Sequence, residues 1–589
     1  MFDLEQLKKD NQAPEWLTED GFKMLSNGYL QNNETPRQMY ERVAKAASSI
    51  LNRPDLEQKF FDYTYGQLIA LSTPVAANLG IPGNGLSVSC FGGVVEDSTI
   101  GIFESLTENC MLCKYGGGVS TSFDRIRPTG APIKGGGQSG GIVPWLKLME
   151  AGIKETSQGG ARRGSICCWL DVYKEVNGEE VFHPDLIDFL YVRDPSGDPN
   201  RRCLSESFHH GVVIPDRFME AVDNPLHPKH DEHLEMFLLI LEKRQDTGEP
   251  FILFIDAVNN NRPPAYVNNE LYVKASNLCS EITLFSSTDH TFTCVLSSLV
   301  LSNWEKIKNS DCIEVAIYLL DAVAEDFIRK SEGLPGTENA RRSTIKGRAL
   351  GLGALGFHTL LQDKMIALDS REAFELNAEI FRTIKQRAEA ASRELAKEYG
   401  EPEWCKGTGM RNTHLTAIAP NVSSSIIAGN VSQSIEPIAF NCYINQSAKG
   451  TFIKKNVNLE KILDSKGKNT FDTWKQIRDD NGSVKSLSFL SDHEKDVFKT
   501  AREVNQYTLV RLNSQRTKFI SQAVSFNIFF SIPKDLSIKE DFDKMGEYIF
   551  GVHMEAWKLG VRSMYYMRAE TALKIENVFS ASDCRACEG

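Results

Sequence analysis

With 589 residues the chain is long enough for one large catalytic domain with appendages, or for several domains of ordinary size around a substantial core. Its 66 basic residues are outnumbered by 78 acidic ones, and a net charge of −12 is the wrong sign for gripping a nucleic-acid polymer by its phosphates. Met1-Phe2-Asp3-Leu4-Glu5 lacks the basic and apolar regions of a secretion signal, no apolar run nears the roughly 20 residues that span a bilayer, and 13 scattered cysteines do not make a secreted disulfide framework. The chain therefore reads as soluble and cytoplasmic, with thiols that are reduced, redox-active or metal-bound.

Residues up to about Leu71 are expected to be helical. Thr35-Pro36-Arg37-Gln38 is a capping box with proline at the first helical position, and Met39, Val43, Ala46, Ala47 and Ile50 supply the apolar stripe behind it. From Thr73 to about Val300 the pattern changes to short β-rich runs, at residues 86–90, 165–170 and 211–214, separated by glycine-rich turns and helical pieces. That alternation favours an α/β core. Two loops, Lys134-Gly135-Gly136-Gly137 and residues 157–164 with Gln158, Arg162 and Arg163, combine glycine with cations and can bring backbone and guanidinium to a nucleotide; flexible loops without a ligand are the alternative.

Asn277-Leu278-Cys279-Ser280-Glu281 places an amide, a thiol and a carboxylate at every second position, so that in an extended segment all three share one face. A neighbouring carboxylate raises a thiol pKa, which points away from a thiolate nucleophile and toward chemistry at the neutral S–H; a polar strand end with one buried cysteine is the plainer alternative. Gly351-Leu352-Gly353-Ala354-Leu355-Gly356 fits the dinucleotide pattern, but Arg341 to Arg348 before it is no buried strand, so the glycines are expected to serve tight helix packing or a turn. A long helix is expected after Ser370, with Phe374, Phe381, Ile384, Ala388, Ala391 and Leu395 on one face and Gly400 closing it. In Ala419-Pro420-Asn421-Val422-Ser423-Ser424-Ser425, hydroxyls stand where a helix begins, suited to phosphate or to simple capping. Residues 464–485 read as an excursion from the core or a mobile surface segment, and a further helix is expected from the Ser537/Glu540 capping box to Gly560.

Tyr565 and Tyr566 follow in the strand-like run 561–567. Two adjacent phenols can relay an oxidising equivalent, although neighbours on a regular strand point to opposite faces, so a stacked pair requires a local departure from strand geometry. After about Thr571 periodicity is lost, and the tail ends in Cys584-Arg585-Ala586-Cys587-Glu588-Gly589, a thiol pair at disulfide-exchange spacing. Half of a zinc site with Cys110 and Cys113 is the competing reading of that pair.

Together these pieces resemble the catalytic large subunit of class I ribonucleotide reductases over essentially the whole chain, from Pro14-Glu15-Trp16-Leu17-Thr18 to the cysteine tail. Residues 276–282, the Tyr565-Tyr566 dyad, the Ser157-Gln158-Gly159-Gly160 loop and the terminal cysteines carry the likeness, in the family's order. The resemblance implies a ten-stranded α/β barrel with a central finger loop bearing Cys279. Residues 1–72 would be a helical domain, 73–570 the barrel with smaller α/β elements, and 571–589 a flexible redox-active tail.

It further implies that Cys279 becomes a thiyl radical that removes the 3′ hydrogen of a ribonucleotide, while Glu281 takes the 3′ hydroxyl proton and Asn277 holds the substrate. Cys90 and Cys294 match the reducing pair, and Cys584 and Cys587 would reopen their disulfide for a thioredoxin- or glutaredoxin-like reductant. Tyr566 would receive the oxidising equivalent from a separate, metal-containing radical subunit and Tyr565 would pass it on. No cofactor is expected to stay on this chain, and no metal.

Thr73, Ser89, Gly118, Asn421, Val422, Ser423, Ser424 and Ser425 match substrate positions, with Asn421-Val422 standing where some relatives have Ser-Glu. Asp97, Ser98, Arg127, Lys134, Gln158 and Arg162 fall in the region where a deoxynucleoside triphosphate or ATP sets base specificity, at a homodimer interface. Only 13 residues precede Pro14, too few for the ATP-binding cone of many relatives, so dATP is not expected to switch off activity through this chain. The family favours diphosphate substrates. The adenosylcobalamin-dependent class is a rival that the tyrosine dyad opposes. A nucleotide sensor with zinc on Cys110, Cys113, Cys584 and Cys587 is a rival of another kind.

Overall fold

The computed structural model describes residues 3–83, 85–156, 164–447, 450–531 and 539–570. Gln158 and Arg162, the Ser537 cap, and the tail with Cys584 and Cys587 lie outside the described residues.

The helical start forms as its caps dictate. Thr35 Oγ1 accepts the Gln38 N–H at 3.3 Å and Gln38 Oε1 accepts the Thr35 N–H at 2.9 Å, launching helix Pro36–Leu51 with Met39, Val43, Ala47 and Leu51 turned inward. The helical expectation overruns at its end. Gln67, at φ 63°, turns the chain, and Ile69–Leu71 becomes a strand antiparallel to residues 297–299. The expected strand at 86–90 starts only at Cys90, because Asn78 Nδ2 binds the Leu86 carbonyl and the Ser87 hydroxyl bonds Asp326. Side chains hold those residues where a ladder would otherwise form.

Strands Cys90–Val94, Gly118–Ser122, Ile166–Asp171, Phe208–Ile214 and Phe251–Phe254 lie side by side in parallel. Gly118–Ser122, Phe208–Ile214 and Phe251–Phe254 are buried along their whole length, the polar Gly-Val-Ser-Thr-Ser run included, as fits strands covered on both faces. Phe292–Val300 runs antiparallel to the first of them and parallel to Leu350–Leu355, and Ser563–Met564 pairs antiparallel with the last. Two irregular segments close the gap. Leu350 and Leu352 donate to the His414 and Leu415 carbonyls, Ile418 donates to Ala523, Ser525 to Ile418, and Tyr565 to Phe526. Eight strands and two segments thus form the closed ring of ten that the resemblance implied.

The glycine run at 351–356 is neither a turn nor helix packing. Leu350–Leu355 is a fully buried strand, parallel to 295–300. A Cβ on Gly351 would sit 2.5 Å from Leu296 Cδ2 and 2.7 Å from Cys294 Sγ, and one on Gly353 would sit 2.7 Å from Ser298 Oγ. The two glycines, two apart, therefore bare one face of the strand so that neighbouring side chains can close over it. Gly351→Ala is expected to cost about 1–3 kcal/mol of stability through overpacking. Gly546→Ala, in helix Lys539–Lys558 with open space around it, should be neutral or gain up to about 1 kcal/mol. Calorimetric melting of the two variants checks the contrast.

Helix Arg371–Tyr399 is capped by Ser370 and followed by Gly400 at φ 81°, as expected, with Phe381, Ile384, Ala388, Ala391 and Leu395 buried. The polar stretch at 464–485 belongs to an excursion with its own small core, where Leu459, Leu463, Trp474 and Ile477 pack together. Among the described residues no helix is long and apolar enough to cross a membrane.

Candidate active site inside the barrel

Inward-facing side chains of the ring, among them Cys90, Trp169, Val213, Phe251, Cys294 and Ala417, share one apolar cluster with Leu278, Cys279 and Ile282. The segment carrying Cys279 thus runs through the interior of the barrel. It is not extended there. Ser280 takes φ 64° and its N–H reaches the Asn277 carbonyl at 3.4 Å, so a tight turn presents Cys279. The expected convergence survives by another route: Asn277 Nδ2 donates to Glu281 Oε2 at 2.9 Å and to Cys90 Sγ at 3.0 Å, while its Oδ1 accepts the Ile282 N–H at 3.0 Å. One buried amide thereby fixes the turn, the carboxylate and a second thiol. Gly118 makes room for it, since a Cβ there would lie 3.0 Å from Leu278 Cδ2.

Cys90 and Cys294 stand directly opposite each other in antiparallel register and both are free thiols. Directly opposed residues project to the same side with Cα atoms about 4.5–5.5 Å apart, within the range a disulfide spans. Burial, then the charge of Glu281 and the neighbouring Cys279 and Cys294, push the Cys90 thiol well above its ordinary value, and burial does the same to Cys294. Both of these thiols are held neutral, chiefly by burial. Gln522 Nε2 lies 3.4 Å from Cys294 Sγ. Glu281 is 1 % exposed, and burial raises its carboxyl to about 7 against the hydrogen bonds from Asn277 and Ser525. Ser525 Oγ reaches Glu281 Oε2 at 3.1 Å and also bonds the Cys279 carbonyl. Neither Gln522 nor Ser525 stood out in the sequence: their segment carries no motif, and only ring closure brings it here.

Tyr565 and Tyr566 sit where the chain changes sheets. Ser563–Met564 pairs with Phe251–Phe254, whereas Met567–Glu570 pairs with Ile528–Ser531. In the break between them both rings fall on the same side, centroids 4.3 Å apart at 53°, with Phe251 against each at 4.6 and 4.9 Å. This is the local departure from strand geometry that bringing adjacent rings together demands, although the rings meet tilted rather than stacked. The Tyr565 phenol is hydrogen-bonded to Cys279 and to Tyr566, which makes a continuous line from Tyr566 to the sulfur. Burial pushes both phenols well above their ordinary values, so they rest neutral.

The family model for the ribonucleotide reductase barrel domain matches residues 88–238, 227–407 and 403–567, and that for its all-alpha domain matches residues 15–84. The chain belongs to the ribonucleotide reductase large-subunit family. It is 34% identical to the putative ribonucleoside-diphosphate reductase large subunit of Frog virus 3, over 97% of this chain and 99% of that protein. Against the large subunit of Invertebrate iridescent virus 3 the identity is 30%, over 97% and 98%. Its fold matches the Actinobacillus ureae class Id ribonucleotide reductase alpha subunit with a TM-score of 0.83 at 34% identity, covering 95% of this chain and 98% of that one.

As a ribonucleotide reductase large subunit the chain is a catalytic subunit, and its remaining expected positions form two groups. Near the barrel mouth, Gly118 donates its N–H to the Ser89 carbonyl at 2.7 Å, Thr73 Oγ1 lies 2.7 Å from the Tyr29 hydroxyl, and Ser424 Oγ is 3.5 Å from the Leu71 carbonyl. Asn421, at φ 56°, turns the chain into the short helix Val422–Ile427 while its amide binds the Ala354 and Ala419 carbonyls. The Asn421 side chain is thus structural, and the hydroxyls of Ser423, Ser424 and Ser425 are buried behind the helix start. In the second group Arg127 Nε holds Asp97 Oδ2 at 2.9 Å, and its Nη1 binds the Pro132 carbonyl of the loop bearing exposed Lys134. Ser98 caps helix Thr99–Lys114 by accepting the Gly101 N–H at 3.0 Å. Cys110 and Cys113 both lie on that helix.

Proposed function

We propose that this chain reduces ribonucleoside diphosphates to deoxyribonucleotides by thiyl-radical chemistry at Cys279, with a separate small subunit as the source of the oxidising equivalent. The observation that carries it is the convergence of Cys279, Cys90, Cys294, Asn277, Glu281 and the tyrosine line on one turn inside the barrel. Tyr566 takes the equivalent from the small subunit, Tyr565 passes it inward, and the Tyr565 oxygen takes the hydrogen atom from the Cys279 S–H. The resulting thiyl removes the 3′ hydrogen of the ribose, and the Glu281 carboxylate accepts the 3′ hydroxyl proton. One thiol of the Cys90–Cys294 pair gives its proton to the departing 2′ hydroxyl, which leaves as water, and the other gives its hydrogen atom to C2′; the pair's second electron and the proton held on Glu281 restore the 3′ radical and its hydroxyl, and the two sulfurs end joined as a disulfide. Cys279 then returns its hydrogen to C3′. The tail thiols Cys584 and Cys587 reopen the disulfide by exchange, and a thioredoxin- or glutaredoxin-like protein resets them.

The diphosphate of the substrate lies at the start of helix Val422–Ile427, where the first backbone N–H groups have no partner within the helix. A deoxynucleoside triphosphate or ATP bound by Asp97, Ser98, Arg127, Lys134, Gln158 and Arg162 selects the base to be reduced. Two copies of the chain associate there, a reading supported by exposed Ile100 and Phe103 on the helix that Ser98 caps. The test is CDP reduction with the cognate small subunit and dithiothreitol. Omitting dithiothreitol should stop the reaction after the resident thiols are consumed, with Cys90 and Cys294 recovered as a disulfide in peptide mapping. No dCDP under the complete conditions would overturn the assignment.

Turnover should also depend on pH in one direction. Because burial lifts Glu281 to about 7, the proton-accepting carboxylate is lost as pH falls through that value. The rate constant kcat/KM for CDP is expected to level off above pH 7 and to fall about tenfold per pH unit well below it. A flat profile between pH 5.5 and 8 would remove Glu281 from the role of base.

A further inference from the structure

Resting on that radical route, we infer that Asn527 is a positioning residue, holding Tyr565 and Tyr566 in a β-bulge that keeps both phenols in line with Cys279. The backbone bonds on either side of the dyad define the bulge. Tyr565 donates its N–H to the Phe526 carbonyl at 2.9 Å, while Ile528, paired with Met567, donates to the Tyr566 carbonyl at 3.2 Å. In a regular parallel ladder one residue donates on one side of its partner and accepts on the other, so the residue that donates to Phe526 would also accept from Ile528. Here two residues divide those bonds. Tyr565 and Tyr566 together oppose Asn527, the two against one that marks a bulge.

The extra residue leaves the Tyr565 carbonyl and the Tyr566 N–H, the two polar groups of the peptide between the rings, without a place in the ladder. Side chains take both. Arg244 Nη2 donates to the carbonyl at 2.9 Å, and Asn527 Oδ1 accepts the N–H at 3.1 Å. Because a backbone N–H only donates, Oδ1 must face Tyr566, which leaves the Asn527 Nδ2 facing Glu436 Oε1, to which it donates at 2.6 Å. Asn527 and Glu436 are buried, at 4 % and 8 % exposure, and none of the steps above uses them.

Neighbours on a regular strand point to opposite faces, which would send one phenol into the barrel and the other away from it. With the extra residue both rings fall on one side, centroids 4.3 Å apart, and the hydrogen-bonded line from Tyr566 through Tyr565 to Cys279 is continuous. Passing a hydrogen atom needs that continuity, since reacting atoms must lie about 3–3.5 Å apart. Gly248 closes around the bulge from another side: its carbonyl accepts the Met567 N–H at 3.1 Å, and a Cβ on it would lie 3.2 Å from Tyr566 Cδ1. Asn527 therefore acts on the chemistry through the backbone, by fixing where the Tyr566 ring leaves the chain.

Asn527→Leu, assayed with the cognate small subunit on CDP, removes the acceptor and is expected to lower kcat about 100-fold, the scale on which a misplacement of roughly 1 Å acts, with KM for CDP unchanged. The double variant Asn527→Asp with Glu436→Gln keeps an acceptor for the Tyr566 N–H and reverses the bond between positions 527 and 436, so it should recover at least about tenfold of that loss. A residue that only fills space would instead lower the melting temperature while the folded protein turned over as native. Asn527→Ala serves the same comparison if the leucine variant does not fold. Tyr566→Phe is run beside them. If it is inactive while Asn527→Leu turns over as native, or while the double variant is no faster than Asn527→Leu, the role of Asn527 is wrong and the radical route stands. If Tyr566→Phe itself turns over normally, the radical route fails.

Discussion

Cys279→Ser is expected to abolish CDP reduction, lowering kcat at least about 10,000-fold, or ~5.4 kcal/mol of barrier at 1.36 kcal/mol per factor of ten. A hydroxyl holds its hydrogen more tightly than a thiol does, so a phenoxyl radical at Tyr565 cannot take it, and no radical reaches the sugar. The fold should hardly notice. Cys279 is 7 % exposed at the tip of a turn fixed by Asn277 and Ser525, and none of those contacts needs the sulfur. The measurement is dCDP formation with the cognate small subunit and dithiothreitol, alongside melting and CDP binding to show that the variant is intact. Turnover within tenfold of native would remove Cys279 from the centre of the chemistry. A cysteine acting only as packing would give the opposite pattern, a shifted melting temperature with activity retained.

Tyr565→Phe should be nearly as severe, at least about 1,000-fold in kcat, or ~4 kcal/mol, for a reason located one residue away. The variant keeps the ring against Phe251, the Tyr565 N–H to the Phe526 carbonyl and the Tyr565 carbonyl to Arg244, losing one oxygen atom and its hydrogen bonds to Cys279 and Tyr566. The stability cost is about 1 kcal/mol, and all the thiols remain reduced and in place. An enzyme that binds CDP and folds normally yet cannot begin a turnover would separate radical delivery from every later step. Substantial turnover would require a path to Cys279 that bypasses Tyr565, and the adenosylcobalamin-dependent alternative would then regain its standing.

Most of the centre was legible because its pieces are short and chemically unusual. Asn277, Cys279 and Glu281 lie within five residues, and the dyad is two adjacent phenols. Even so, the local geometry differed from expectation: a period of two suggested an extended segment, while Ser280 turns the chain and Asn277 does the gathering. What could not be read was contributed across the ring. Gln522 and Ser525 come from a segment some 240 residues downstream of the finger loop, and their roles exist only because residues 522–526 fill a place in the wall. The strand at 350–355 was missed because glycine has poor strand propensity, and the reason for it, the space needed by Cys294 and Leu296, is tertiary. The same holds for Asn527, unremarkable until Glu436 and Tyr566 are placed beside it.

The ten-membered wall closes on itself, so its members have neighbours on both sides and the barrel offers no bare row of amides and carbonyls to a foreign strand. A partner that docks on the barrel wall must therefore meet helices, loops and side chains rather than a strand edge. Recruitment by strand addition is closed to this barrel, and a short β-forming peptide should neither join it nor seed fibres from its folded state.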